Sequence, residues 1–150
     1  MKDVVPIPQE FYLIRLLHET RHATYRVLEK EFKRLGITPI QVVVLAVIHN
    51  ANKPVTSAEI SRHIFRAHPT VAALVRRMEK KGLVTLIRDM DNKNWIRVVL
   101  KERGLRVYSE AIQKEGIVKL FSCFVQEERE QFHTCLKKLQ DKTLELLKDD

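Results

Sequence analysis

Between Pro69 and Lys80 the sequence PTVAALVRRMEK holds two kinds of side chain at helical spacing. Val71, Leu74, Val75 and Met78 recur at i, i+3, i+4 and i+7, which puts them on one face of a helix. Pro69, Ala73, Arg76 and Lys80 then face the other way, flanked by Ala72 and Arg77, with His68 and Thr70 at the N-terminal end. Such a face suits the major groove of a duplex. An arginine offers two parallel N–H donors to guanine O6 and N7, and a small methyl fits the 5-methyl of thymine. Arg76 is placed to read guanine, and Ala73 or Thr70 to meet thymine. Arginine and lysine on a helix are equally the ordinary solvated face of a globular protein, so the surrounding elements decide.

Other chemistry-bearing residues are sparser. His18 and His22 lie four apart, which presents two imidazoles on one helical face. Glu19 sits on another face and no cysteine joins them, so no metal site is expected. Cys123 and Cys135 are too few for a disulfide scaffold. Cys123 lies beside Ser122 between Phe121 and Phe124 with no neighbouring base, and the expectation is small buried side chains rather than a redox switch. The chain has no phosphate-cradling glycine loop, no His-Glu-x-x-His, no nucleophile elbow and no Cys-x-x-Cys. Neither a cofactor nor an enzymatic activity is expected.

The whole chain supports a binding role. It has 150 residues, 27 basic against 19 acidic, a net charge of +8 and a pI near 9.7. That is enough for one sizeable core, and the basic balance points to an anionic partner. No run approaches the roughly 18 apolar residues that cross a bilayer. No apolar stretch follows Met1-Lys2-Asp3, so no signal peptide is expected. The expectation is a cytoplasmic domain with no membrane partner.

The elements follow from periodicity and caps. Phe11, Ile14, Leu17, Leu28, Phe32 and Leu35 largely share one stripe of a helix over Glu10 to Leu35, with Gly36 at its C-cap. Thr38-Pro39-Ile40-Gln41 opens a second helix, to about His49, with a capping box and a proline at the first position. That helix is apolar on most sides and is predicted to be central. After the break at Ala51 to Pro54, Val55 adds one short strand. Thr56 to Glu59 form a second capping box, opening a helix to about Ile64. Phe65 to His68 form a turn, and Pro69 takes the first position of a fourth helix that Gly82 ends. Leu83 to Arg88 and Trp95 to Leu100 are β-prone runs joined by the polar loop Asp89 to Asn94. Ile96, Val98 and Leu100 alternate with Trp95, Arg97 and Val99, which predicts one buried face. From Glu102 the helical period returns, with Leu105, Tyr108, Ile112, Leu120 and Phe124 on one stripe and Gly116 as a weak point. A last helix, about Glu127 to Lys148, carries Phe132, Leu136, Leu139, Thr143 and Leu146.

Two short helices joined by a tight turn and followed by a hairpin are the order of a winged helix-turn-helix. From about residue 10 to residue 148 the sequence resembles the MarR family of bacterial transcription regulators. The resemblance rests on Val55 to Ile60, on Pro69 to Val84, on Arg88 through Val98-Val99-Leu100 to Gly104, and on Glu127 to Glu130. It implies double-stranded DNA as partner, with Arg88, Lys93 and Asn94 on the wing. It also implies a ligand cleft between the first helix and the DNA-binding lobe, with His18, Arg21, His22, Tyr25 and Trp95 as lining. The family wing carries Asp followed by two Arg, with Arg reaching into the minor groove. Counted back from Gly104, those positions are Asn92, Lys93 and Asn94, and Lys101 stands where a Thr cap is usual. Lys93 is expected to keep a phosphate contact, and the wing to contribute less readout of sequence or shape. Some relatives sense oxidants through a first-helix cysteine, which this chain lacks.

The expected fold is mostly α with a small β-hairpin: a winged helix-turn-helix plus a helical dimerisation lobe. Within a single domain of 150 residues, residues 37–100 form the DNA-binding lobe and residues 1–36 and 101–150 the dimerisation lobe. The stripes Phe11, Ile14, Leu17 and Phe132, Leu136, Leu139 exceed what one small lobe covers. A twofold partner would cover them and set two recognition helices on one palindrome. The expected function is a homodimeric, sequence-specific transcriptional regulator, a repressor, modulated by a small-molecule effector. The alternative is a winged-helix protein-interaction or RNA-binding accessory module. Steep salt dependence with preference for one palindrome separates the two.

Overall fold

The computed structural model describes residues 5–148. Its central helix is α2 (Pro39–Asn50), which opens with the expected capping box. The Thr38 hydroxyl accepts the Gln41 N–H at 3.4 Å, and Gln41 Oε1 accepts the Thr38 N–H at 3.1 Å. Each bond satisfies an N–H that lacks a partner within the helix. Val42, Val44, Leu45 and Ile48 of α2 are buried. Against them pack α1 (Gln9–Phe32), α3 (Ser57–Ile64), α5 (Glu102–Ile112) and the strand β3 (Ile96–Leu100). α1 contributes its last residue, Phe32, to this core, and residues 9–23 of α1 are exposed throughout. A 3-10 turn, Lys33–Leu35, follows it, and Gly36 closes the turn at φ 67°, where a side chain would be strained.

The helix-turn-helix is α3 followed by α4 (His68–Lys80). Thr56 caps α3 as predicted, accepting the Glu59 N–H at 3.1 Å while Glu59 Oε2 accepts the Thr56 N–H at 2.7 Å. Phe65, at φ 54°, breaks α3 and turns the chain. His68 belongs to α4 rather than to the turn, and Pro69 falls at the second helical position instead of the first. The shift costs nothing, because no N–H in the first turn has an intrahelical partner. Gly82, at φ 71°, ends the helix.

The expected hairpin is part of a three-stranded antiparallel sheet in the order β1-β3-β2, with β1 at Val55–Thr56 and β2 at Val84–Arg88. Val98 pairs with Val55 on one side and Leu86 on the other. Val55, Val84 and Val98 are buried, but Ile96 is 43% exposed and Leu100 only half-buried. The predicted alternation of burial is absent: Val98 alone in β3 is buried, and Arg97 is half-buried where Ile96 is exposed.

α5 begins hard against the sheet. Leu83 O accepts the Lys101 N–H at 3.1 Å, while the Lys101 side chain makes no capping bond. A Cβ on Gly104 would lie 2.0 Å from that same Leu83 oxygen. The expected weak point at Gly116 is displaced. α5 stops before Gln113, where the Gln113 and Lys114 N–H groups turn to carbonyls three residues back, those of Glu110 and Ala111. Gly116 lies buried inside α6 (Glu115–Phe121).

The chain divides into two compact units, Met1–Lys114 and Glu115–Asp150, so α1 and α5 cluster with the helix-turn-helix. In the second unit, Phe124 stacks on Phe132 at 5.6 Å between ring centroids, at the start of α7 (Gln126–Leu146). No single helix among the described residues is long and apolar enough to cross a membrane.

Gly104→Ala should force α5 away from the Leu83 carbonyl and cost about 1–3 kcal/mol, as overpacking does. Urea denaturation checks this, and an unchanged midpoint would mean that α5 is not seated there.

Candidate nucleic-acid interface

α4 is amphipathic in the sense expected. Val71, Leu74, Val75 and Met78 are buried, while Pro69, Thr70, Ala73, Arg76, Arg77 and Lys80 are exposed and Ala72 is half-buried. Burying four apolar side chains stabilises the helix by about 1.5–3 kcal/mol each and fixes its rotation about its own axis. Among the described residues, Arg76, Arg77 and Lys80 pair with no carboxylate, so their charges remain available to an outside anion. The same holds for Arg62 and Arg66, beside the turn of the motif, which the sequence reading did not single out. Their signal was present in the +8 balance but not in any spacing.

His68, the first residue of α4, lies with Nε2 2.8 Å from the hydroxyl of Ser57, the first residue of α3. That contact links the N-termini of the two helices. Helix N-termini carry partial positive charge and free N–H groups, which suit a phosphate. A cavity of about 480 Å³ lies between α3, α4 and the hairpin. Val75, Leu86 and Val98 contribute apolar walls, and Arg62, His68 and Arg76 reach it with polar ends. Asn94 and Trp95 border it from the wing.

The wing loop is held by Asp89. Its Oδ1 accepts the N–H groups of Asp91 at 2.9 Å and Asn92 at 3.1 Å, and its own N–H donates to Trp95 O at 2.8 Å. Asn92 Oδ1 accepts the Asn94 N–H at 3.2 Å. Arg97 Nε donates to Asp89 Oδ2 at 2.6 Å, and Arg97 Nη1 lies 3.7 Å from Glu59 Oε2. The Arg97 guanidinium lies over the Trp95 ring, 5.4 Å from its centroid. The hydrogen bond from Arg97, followed by the N–H groups of Asn92 and Asp91, holds the Asp89 carboxyl below its ordinary value of 3.8. The Thr56 N–H is the largest influence holding Glu59 below 4.5, with Lys53 and Arg97 adding to it and burial opposing it. Both pKa values are lower in the folded chain. The stabilisation is therefore present above the ordinary carboxylate range and is lost as pH falls below it. Arg88, Lys93 and Asn94 project from this framework and are exposed.

The residues expected to line a ligand cleft do not all meet. His18, Arg21 and His22 are exposed on α1, and Tyr25 is half-buried. The His18 and His22 rings touch at 4.6 Å. None of these four lines the cavity that Trp95 borders. Among the described residues no three metal-ligating side chains gather. Cys123, in the turn between α6 and α7, and Cys135, on α7, are both exposed, not buried as expected. Asp89, Arg97 and Glu59 are the residues that sequence reasoning missed. The only signal was opposite charge at the two ends of the hairpin loop.

Comparison with known proteins adds the family. A family model described as the MarR family matches residues 35–93. The uncharacterized HTH-type transcriptional regulator YsmB of Bacillus subtilis (strain 168) is 33% identical over 107 residues, covering 70% of this chain and 73% of that protein. Two solved structures share the fold at lower identity. The organohalide-sensing regulator RdhR-CbdbA1625, in its 2,4-dichlorophenol-bound form, has a TM-score of 0.83 at 24% identity, over 97% of this chain and 90% of that one. A mutant of MarR from E. coli, in complex with operator DNA, has a TM-score of 0.78 at 22% identity, over 87% of this chain and 95% of that one. A third of positions shared across most of a regulator, and a family model laid over the helix-turn-helix and the first strand of the wing, make this chain a member of the MarR family of transcriptional regulators, proteins that act by binding and not by catalysis.

Proposed function

We propose that the protein is a homodimeric, sequence-specific repressor that binds a palindromic operator in the cytoplasm and releases it in response to a small molecule. The observation that carries the reading is the unpaired basic face of α4, with Arg76, Arg77 and Lys80 turned outward by the burial of Val71, Leu74, Val75 and Met78. In this reading α4 enters the major groove. Arg76 reads a guanine edge, with Thr70 and Ala73 beside it and His68 and Pro69 at the leading end. Arg77, Arg88, Lys93 and Asn94 contact the backbone. The likeness in fold to MarR held on operator DNA supports this placement.

Dimerisation rests on apolar surface that one chain leaves in water. Phe11, Ile14 and Leu17 of α1 are 42–60% exposed, and Phe132, Leu136 and Leu139 of α7 are 39–45% exposed. Apolar stripes on two long helices are an interface signature. Residues 1–36 and 101–150 supply them, which is the dimerisation lobe of this reading. The effector site of this reading lies on α1, at His18, Arg21, His22 and Tyr25, and leaves out Trp95, which borders the separate cavity beside the wing. The likeness in fold to a regulator solved with 2,4-dichlorophenol supports a small aromatic effector. A change in the separation of the two α4 helices would then release the operator.

Arg76→Ala should cost about 1–3 kcal/mol on the cognate duplex and much less on a scrambled one. Lys93→Ala should weaken both duplexes by a similar factor and lower the salt slope by about one. Titrations at several salt concentrations check both, and an equal loss on both duplexes for Arg76→Ala would reduce Arg76 to a phosphate contact. Tighter binding of single-stranded RNA than of any duplex would favour the accessory-module alternative. Leu136→Asp should give monomer or aggregate in sedimentation velocity, and a well-folded dimer would move the interface elsewhere.

A further inference from the structure

We propose that Arg97 is the positioning residue of the wing, clamping the Asp89 loop and the α3 cap of Glu59 into one rigid unit so that Lys93 and Asn94 are held at a fixed place beside α4. The inference rests on the reading above, in which the wing touches DNA.

Arg97 occupies the centre of the sheet. Its backbone pairs with Thr56 of β1 on one side and Ile87 of β2 on the other. Both neighbours are fixed in turn, Thr56 as the cap of α3 and Ile87 as part of the hairpin arm. From there the guanidinium reaches in three directions: to Asp89 at 2.6 Å, to Glu59 at 3.7 Å and over the Trp95 ring. The two carboxylates belong to different parts of the fold. Asp89 organises the wing loop through the N–H groups of Asp91 and Asn92, and Glu59 organises the first turn of α3. A planar guanidinium can donate to one carboxylate and face another while stacking on an indole, which a lysine ammonium cannot do.

The side chains are poorly solvated for charged groups. Arg97 is 26% exposed, Glu59 28% and Asp89 13%. Partial removal from water strengthens such pairs over ordinary surface ion pairs and reduces their screening by salt. Arg97 is also directed inward at its two carboxylates, so it is not a DNA contact. Its effect on DNA would pass through the loop that it holds. The loop with Asn92, Lys93 and Asn94 at its tip is in this way tied at both ends. The charge pairing that orders the loop comes from its two ends, Asp89 and Arg97.

Trp95 is the only tryptophan in the chain, so its emission reports the clamp directly. The test uses the full chain and four variants: Arg97→Met, Arg97→Lys, Lys93→Ala and the double variant Arg97→Met with Lys93→Ala. Circular dichroism establishes that each is folded, emission spectra read Trp95, and anisotropy titrations read affinity for the cognate and a scrambled duplex. Arg97→Met should shift Trp95 emission and weaken the cognate duplex by roughly tenfold, with Lys93→Ala costing almost nothing further in that background. Arg97→Lys should show the same changes to a smaller degree. If the losses from Arg97→Met and Lys93→Ala multiply as independent factors, Arg97 is itself a DNA contact and the proposal fails. If Arg97→Lys matches the parent while Arg97→Met does not, net charge is the cause and the clamp is overturned. Should Lys93→Ala leave the parent's affinity and salt slope unchanged, the wing-contact reading fails instead. The clamp then stands or falls on Trp95 emission alone, and an unchanged spectrum in Arg97→Met overturns it.

Discussion

The burial of one face of α4 constrains everything outside it. Val71, Leu74, Val75 and Met78 each lose their contact with water, and a helix has one rotation that buries all four. That rotation sends Arg76, Arg77 and Lys80 outward together. It also seats the helix so that Gly82 can turn the chain directly into β2. Recognition helix and wing are therefore not independent. The packing that orients the basic face also sets where the hairpin begins.

Electrostatics then divides the charged residues into two groups. Arg97 is occupied by Asp89 and Glu59, and Arg15, Arg106 and several lysines of the outer helices are occupied by carboxylates three or four residues away. Arg62, Arg66, Arg76, Arg77, Arg88 and Lys93 have no such partner among the described residues. Residues 55–100 hold nine basic side chains against four acidic ones, a net +5. More than half of the net charge of +8 thus falls on the helix-turn-helix and its wing, which is what steers and holds a polyanion.

Most of this was legible in the sequence where local chemistry decides. Both capping boxes, the Gly36 and Gly82 stops and the buried quartet of α4 were readable, because each depends on residues within a turn or two. The readings that failed depended on partners distant in sequence. Ile96 alternates in sequence as a buried residue should, yet stays exposed, since burial depends on what packs over the strand. Gly116 is a local failure instead: it reads as a break, yet α5 closes earlier as the Gln113 and Lys114 N–H groups turn to carbonyls three residues back. Of the site, the outward face of α4 was legible by subtraction. The Asp89–Arg97–Glu59 cluster was not, since only the strand register brings residues 59, 89 and 97 together. The cysteines misled for the same reason: their burial depends on what covers α7 and the turn before it, which composition does not specify.

The central claim is that a basic face fixed by packing reads a twofold DNA site. Selection of bound sequences from a random duplex library by the full-length protein tests it most directly. The account predicts enrichment of one palindrome whose half-site centres lie about 10–10.5 base pairs, or a small multiple, apart. Arg76 lies near the middle of the reading face, so guanine should recur at one matched position in each half-site. A pool that stays random after repeated selection, or that converges on a single unrepeated half-site, would contradict it.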